Sequence, residues 1–264
     1  MPWSDFQYQG GLPAVTYSRG GGDPRIGSAS AVIPESKAVI VTKSSTGRTV
    51  APHYLSLLLR GDQSGATRLI RTLLDGGTPI VDIYLNVFQP ALRETGQLWA
   101  SNKISVADEH YVSAATQLIM AQIYPKIPSK KRLGRKALLA CVEGELHDIG
   151  LRMVADMFEM SGWDGLFLGA GAPIESIPSF IDKHHPDILL FSAATEAHLP
   201  AARETIVQLR RRPPKDTPPI MVGGHVFNQQ AALWRQVGAD AHARRTEDVV
   251  AAAEKLRIIK MSKP

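Results

Sequence analysis

KALLACVEGELHDIG, residues 136–150, decides the fold. Its opening run, 137–142 (ALLACV), has the length and composition of a strand buried on both faces. The run breaks at Glu143-Gly144 into a polar loop, and Ile149-Gly150 then begins a stretch of helical period. A strand, a loop and a helix in that order place Glu145, Leu146, His147 and Asp148 at the carboxyl end of a strand. In open α/β sheets that is where ligands dock.

The pattern repeats downstream. Apolar runs at 165–168, 188–192, 220–222 and near 239–241 alternate with helical stretches at 149–161, 174–184, 199–211, 227–237 and 246–259. Such alternation predicts a doubly wound, Rossmann-like parallel sheet over residues 136–264. Upstream the period is helical. Leu55, Leu58 and Leu59 form one stripe, and Leu69, Ile70, Leu73 and Leu74 form another that stops at Gly76-Gly77. A third runs from Ile80 to Leu98, where Pro90 is expected to kink it. Ser105 and Asp108 form a capping pair for a fourth helix that Pro125 ends. Residues 51–126 therefore read as a four-helix bundle, and the basic, proline-broken stretch 127–135 reads as a linker. Residues 1–50, rich in glycine and proline, read as a flexible segment in which only 38–42 (AVIVT) is strand-like.

Composition narrows the function classes. With 44% hydrophobic and 21% charged residues, the 264-residue chain has an ordinary globular balance. The single cysteine, Cys141, excludes an internal disulfide framework and fits a reducing cytoplasm. No apolar run approaches the ~18 residues of a membrane span, so a soluble, cytoplasmic protein is expected. The net charge of +5 owes much to two clusters, Lys130-Lys131-Arg132 with Arg135-Lys136, and Arg210-Arg211-Arg212 with Lys215. They read as solvated loops, because no nucleic-acid-binding motif accompanies them and direct DNA binding is not supported. No catalytic triad, phosphate loop or zinc spacing occurs, so the chain is not expected to be an enzyme.

The site candidates lie at strand ends. Forty-one residues separate Gly150 from Ser192, and twenty-eight separate Ala194 from Gly223-Gly224. An acidic residue two positions before a histidine can accept from one ring nitrogen and orient the other. Ser192 offers a small polar group, and the paired glycines offer walls without side chains.

Glu145-x-His147-x-x-Gly150, then Ser192, then Gly223-Gly224, resembles the cobalamin-binding Rossmann-like domain of corrinoid enzymes and sensors. The resemblance implies that His147 replaces the cofactor's own dimethylbenzimidazole as the lower axial cobalt ligand. It also implies that the loop 145–150 contacts the corrin through Glu145, Leu146, Asp148, Ile149 and Gly150. The displaced nucleotide tail would then lie beside Ser192, Ala194, Gly223 and Gly224. Glu145 stands where many relatives have Asp, and Ala194 where a larger residue is usual. In the helical half, Trp99, nine intervening residues and Glu109-His110 resemble the signature of CarH-type light-dependent cobalamin photoreceptors. There these positions line the pocket for the 5′-deoxyadenosyl group. Ala100 stands where that family has a histidine that captures cobalt after photolysis.

The resemblance implies an adenosylcobalamin-binding, light-responsive regulator, with hydroxocobalamin and methylcobalamin as other possible forms. Lacking a legible DNA reader, it would act through a protein partner such as a transcriptional regulator, as AerR-type antirepressors do, or through light-dependent homo-oligomerisation. Two other readings stay open at this point: a corrinoid methyl carrier of a methyltransferase system, and a light-independent cobalamin-binding module. Read as a fold-only feature, His110 shares a helical face with Val106, Ala114 and Leu118 and would be a core histidine.

Overall fold

The computed structural model describes residues 46–261 except 129 and 231. The expectations for the glycine-rich segment up to residue 45, including the strand-like run at 38–42, lie outside the described residues. The helical half contains α1 (Thr46–Leu59), α2 (Gln63–Asp75), α3 (Ile80–Ile83), α4 (Gln89–Ala100) and α5 (Val106–Ile123). α1 begins five residues ahead of the expected boundary at 51, and Val50 is already part of the core. α3 and α4 form one continuous rod, joined by a π-helical segment at Tyr84–Phe88. The wide turn lies just ahead of Pro90, which has no N–H to donate to a regular ladder. The expected irregularity is therefore an inserted π turn ahead of the proline. The Ser105–Asp108 capping box forms at the start of α5 as predicted.

The sheet half follows as β1 (Lys136–Cys141), α6 (Ile149–Met160), β2 (Asp164–Gly169), α7 (Ile177–His184), β3 (Ile188–Ser192), α8 (Leu199–Arg210), β4 (Ile220–Gly223), α9 (His225–Gln229), α10 (Leu233–Gln236), β5 (Ala241–His242) and α11 (Val249–Met261). Its five strands are parallel in the order β2-β1-β3-β4-β5. This is the predicted fold class, a helical domain followed by a doubly wound sheet. The single helix expected over 227–237 is two short ones, because the chain is extended at Gln230. The connections after β1 and β3 leave a crevice above adjacent strands, the switch point of this topology.

Both sheet faces are covered, by clusters centred on Leu138, Leu189 and Phe191 on one side and Leu139, Leu190 and Trp163 on the other. The helical half has its own core of Tyr54, Leu58, Ile70, Tyr84, Phe88 and Ile119, and Met153 and Met157 of α6 belong to that core. The buried Tyr84 hydroxyl donates to Asp156 of α6 at 2.6 Å, tying the two halves together. The segment expected as a linker is fastened to the sheet half, with Leu133 N donating to Gly162 O and Arg132 donating to Trp163 O.

The basic clusters are partly consumed by local carboxylates. Arg132 pairs with Glu159 and Asp164, Arg135 with Glu254, Arg210 with Asp240 and Arg212 with Asp182.

Candidate corrinoid site

The loop after β1 presents His147 at the crevice. Glu145 turns inward and is fully buried, while the His147 side chain stays 64% exposed. One Glu145 oxygen accepts from both the His147 amide at 2.8 Å and its Nδ1 at 2.5 Å. The other accepts from the Ala194 amide at 2.5 Å and lies 2.9 Å from Nδ1 of His198, whose hydrogen bond is with the Thr195 hydroxyl. Burial alone would raise this carboxyl; the hydrogen bonds from the His147 ring, the His147 amide and the Ala194 amide outweigh it and hold it at about 2. The same ring contact raises His147 above the ordinary imidazole value against the opposing effect of burial, and the nearby Glu109 carboxylate adds to the rise. An ionised Glu145 can only accept, so Nδ1 carries the proton and Nε2 of the neutral ring carries the outward lone pair. The sequence anticipated this pair. It did not single out His198, whose position six residues after Ser192, on the loop that follows β3, was the available signal.

Beside His147 a cavity of about 310 Å³ runs between the carboxyl ends of β3 and β4 and helices α6 and α11. Of the predicted residues, His147, Gly150, Ser192, Ala194, Gly223 and Gly224 line it together. Its walls include Leu190, Met221 and Val222, giving an apolar slot of the size of small-molecule pockets. A Cβ at Gly223 would meet no atom within 4 Å, so that glycine keeps the cavity open. Gly224 differs: its φ is +105°, and a Cβ there would run into the Ala193 backbone. Gly150 has open space around its missing side chain, so its place in the motif comes from the cavity wall.

The remaining loop residues divide by direction. Leu146 is 77% exposed beside His147. Asp148 accepts from Gln117 of α5 at 3.1 Å, and Ile149 packs against the helical core. Glu109 accepts from Ser113 at 2.8 Å and engages His110 Nδ1 at 2.6 Å. His110 is 75% exposed at its side chain, which removes the core-histidine reading. Trp99 is 47% exposed at the end of α4. Sequence reading also missed that α4 reaches the cavity: Gln89, Leu92 and Arg93 line it. The signal was available, because Gln89, Leu92, Arg93, Gly96 and Trp99 recur at helical spacing.

Residues 135–254 match a family model described as a B12 binding domain, and residues 51–124 match a second model of the same description. The helical half and the Rossmann-like half thus each match a B12 binding domain, and cobalamin binding is supported. Over 205 residues the chain is 25% identical to a corrinoid protein of Desulfitobacterium hafniense (strain Y51), covering 75% of this chain and 93% of that one. It is 28% identical over 204 residues to the HTH-type transcriptional repressor CarA of Myxococcus xanthus, covering 75% of this chain and 65% of the repressor. Further relatives are monomethylamine and dimethylamine corrinoid proteins of Methanosarcina species. The structure of the Methanosarcina barkeri monomethylamine corrinoid protein shares the fold, with a TM-score of 0.66 at 21% identity, over 78% of this chain and 96% of that one. Among the described residues no helix is long and apolar enough to cross a membrane.

Proposed function

We propose that the chain is a cobalamin-dependent, light-responsive regulator that acts through a protein partner. In this reading His147 is the lower axial cobalt ligand, in place of the cofactor's own base. The observation that carries the proposal is an outward-facing imidazole whose second nitrogen is held by a buried carboxylate. That donor set fits a metal already chelated by a macrocycle, since it supplies one oriented nitrogen. The glycine-walled cavity beside it fits a displaced planar base. Bound adenosylcobalamin would supply a light-sensitive cobalt–carbon bond.

The chain's own residues do the rest. Glu145 fixes the tautomer and raises the basicity of His147. Gln117 of α5 donates to Asp148 at 3.1 Å, so the helical half touches the ligand loop. Exposed Trp99 and His110 remain available to an upper-face group. A change of conformer needs a ligand with unequal affinity for two states, and loss of a buried adenosyl group supplies that difference.

The sequence relatives named as corrinoid proteins favour a second reading, a methyl carrier serving a methyltransferase. One experiment separates the two. Purified protein is reconstituted with adenosylcobalamin, and its absorption spectrum and size are measured in darkness and after green light. The regulator should hold adenosylcobalamin in the dark, then change spectrum and assembly state on illumination. A spectrum and size unmoved by light, with reductive cycling and methyl transfer in their place, would establish the carrier. His147→Ala should weaken retention and shift the visible bands; an unchanged spectrum would remove His147 as the ligand.

A further inference from the structure

We infer that Arg93 of α4 and Arg244, on the loop after β5, form a cationic clamp at the rim of the β3–β4 cavity. The clamp would take the anionic phosphodiester of a corrinoid's nucleotide tail. The inference rests on the cobalamin reading above and extends it from the cobalt ligand to the tail.

Both arginines line the cavity and both are exposed, as rim residues must be. Neither is paired: among the described residues, no carboxylate forms an ion pair with Arg93 or Arg244, whereas Arg132, Arg135, Arg210, Arg212, Arg245 and Arg257 all have one. No Asp or Glu lines the cavity, and His225 adds a further imidazole to its rim. An apolar slot with unpaired guanidinium groups at its rim is complementary to a planar base that carries a phosphate. Guanidinium is the side chain best suited to phosphate oxygens, because its fork can donate two parallel hydrogen bonds.

The two arginines come from different halves of the protein, and a bridge already joins those halves here: Gln89 donates to Thr246 at 3.1 Å, and both residues line the cavity. Seating an anion between Arg93 and Arg244 therefore fixes α4 against the sheet. Trp99 lies on the same helix, six positions beyond Arg93 and about 9 Å along its axis. Tail occupancy would thus be felt at the proposed upper-face group through one rigid helix.

The test uses three probes: diaquacobinamide, which lacks the tail; cobinamide phosphate, which carries phosphate without the base; and hydroxocobalamin. Affinity for each is measured by titration of the full chain, with the visible spectrum recorded to report imidazole coordination. The parent protein should bind cobinamide phosphate about tenfold more tightly than cobinamide, and that preference should shrink with added salt. Arg93→Gln and Arg244→Gln, at exposed positions, should each remove most of the preference while leaving cobinamide binding and its imidazole-coordinated spectrum unchanged. Arg203→Gln, on α8 and away from the cavity, should change nothing. Equal affinity of the parent for cobinamide and cobinamide phosphate, with an imidazole-coordinated spectrum in both, overturns the clamp and leaves the His147 reading standing. Absence of that spectrum with every corrinoid overturns the His147 reading and the clamp with it.

Discussion

At the scale of single residues, the two glycines that close β4 look interchangeable in sequence and are not. Gly224 adopts a left-handed backbone, and a methyl group on it would collide with Ala193. Gly224→Ala is expected to destabilise the protein by at least ~2 kcal/mol, read as a lower urea midpoint. Gly223 faces open cavity, so Gly223→Ala should change stability by no more than about 0.5 kcal/mol while weakening corrinoid binding by filling the slot. If the two variants lose stability equally, the division between backbone and cavity roles fails. The same distinction shows what sequence can carry. Glu145, His147 and the Gly-Gly pair were legible because chemistry restricts those positions to few residue types. His198 was not, because an imidazole that reaches a buried carboxylate from another loop leaves no local pattern.

At the scale of elements, strands and helices were legible wherever a hydrophobic period ran uninterrupted, as in β1, β3, α6 and α8. Departures fell where tertiary packing or a local backbone requirement overrides period, at the π turn before Pro90 and at the break between α9 and α10. The π segment starts at Tyr84, whose hydroxyl crosses to Asp156. Burial raises the Asp156 carboxyl above its usual value, with the Tyr84 hydroxyl and Arg152 pulling the other way, and burial also raises the Tyr84 hydroxyl. Arg152 donates to the second Asp156 oxygen at 3.2 Å and lies over the Tyr124 and Phe167 rings. Tyr84→Phe removes one donor from a buried acceptor that keeps a single partner. The expected cost is ~1–3 kcal/mol in urea unfolding, far more than the ring's small loss of volume would give. A change within error would mean that the contact is not a strut between the halves.

At the scale of the whole molecule, the sequence suggested a bundle and a sheet separated by a linker, and the fold class was read correctly on that basis. What it did not disclose is how far the halves share their interior. Met153 and Met157, on the first helix of the sheet half, sit in the core of the helical half, and Ile149 packs beside them. Such sharing has a thermodynamic signature, because neither half can open without exposing apolar surface of the other. The chain from 46 onward should therefore unfold in one transition. Far-UV circular dichroism weights both halves by their helices, while fluorescence of a variant that keeps Trp163 alone, with the other three tryptophans changed to Phe, reports the sheet half. The two probes should give coincident urea curves in the apoprotein. A corrinoid present at about 100 times its dissociation constant should shift both curves together, by ~2.7 kcal/mol. A ligand whose macrocycle meets only one half of two loosely joined domains would move one curve and leave the other behind. Separated transitions would show that the described residues form two independent folding units and that the shared methionine core does not couple the halves.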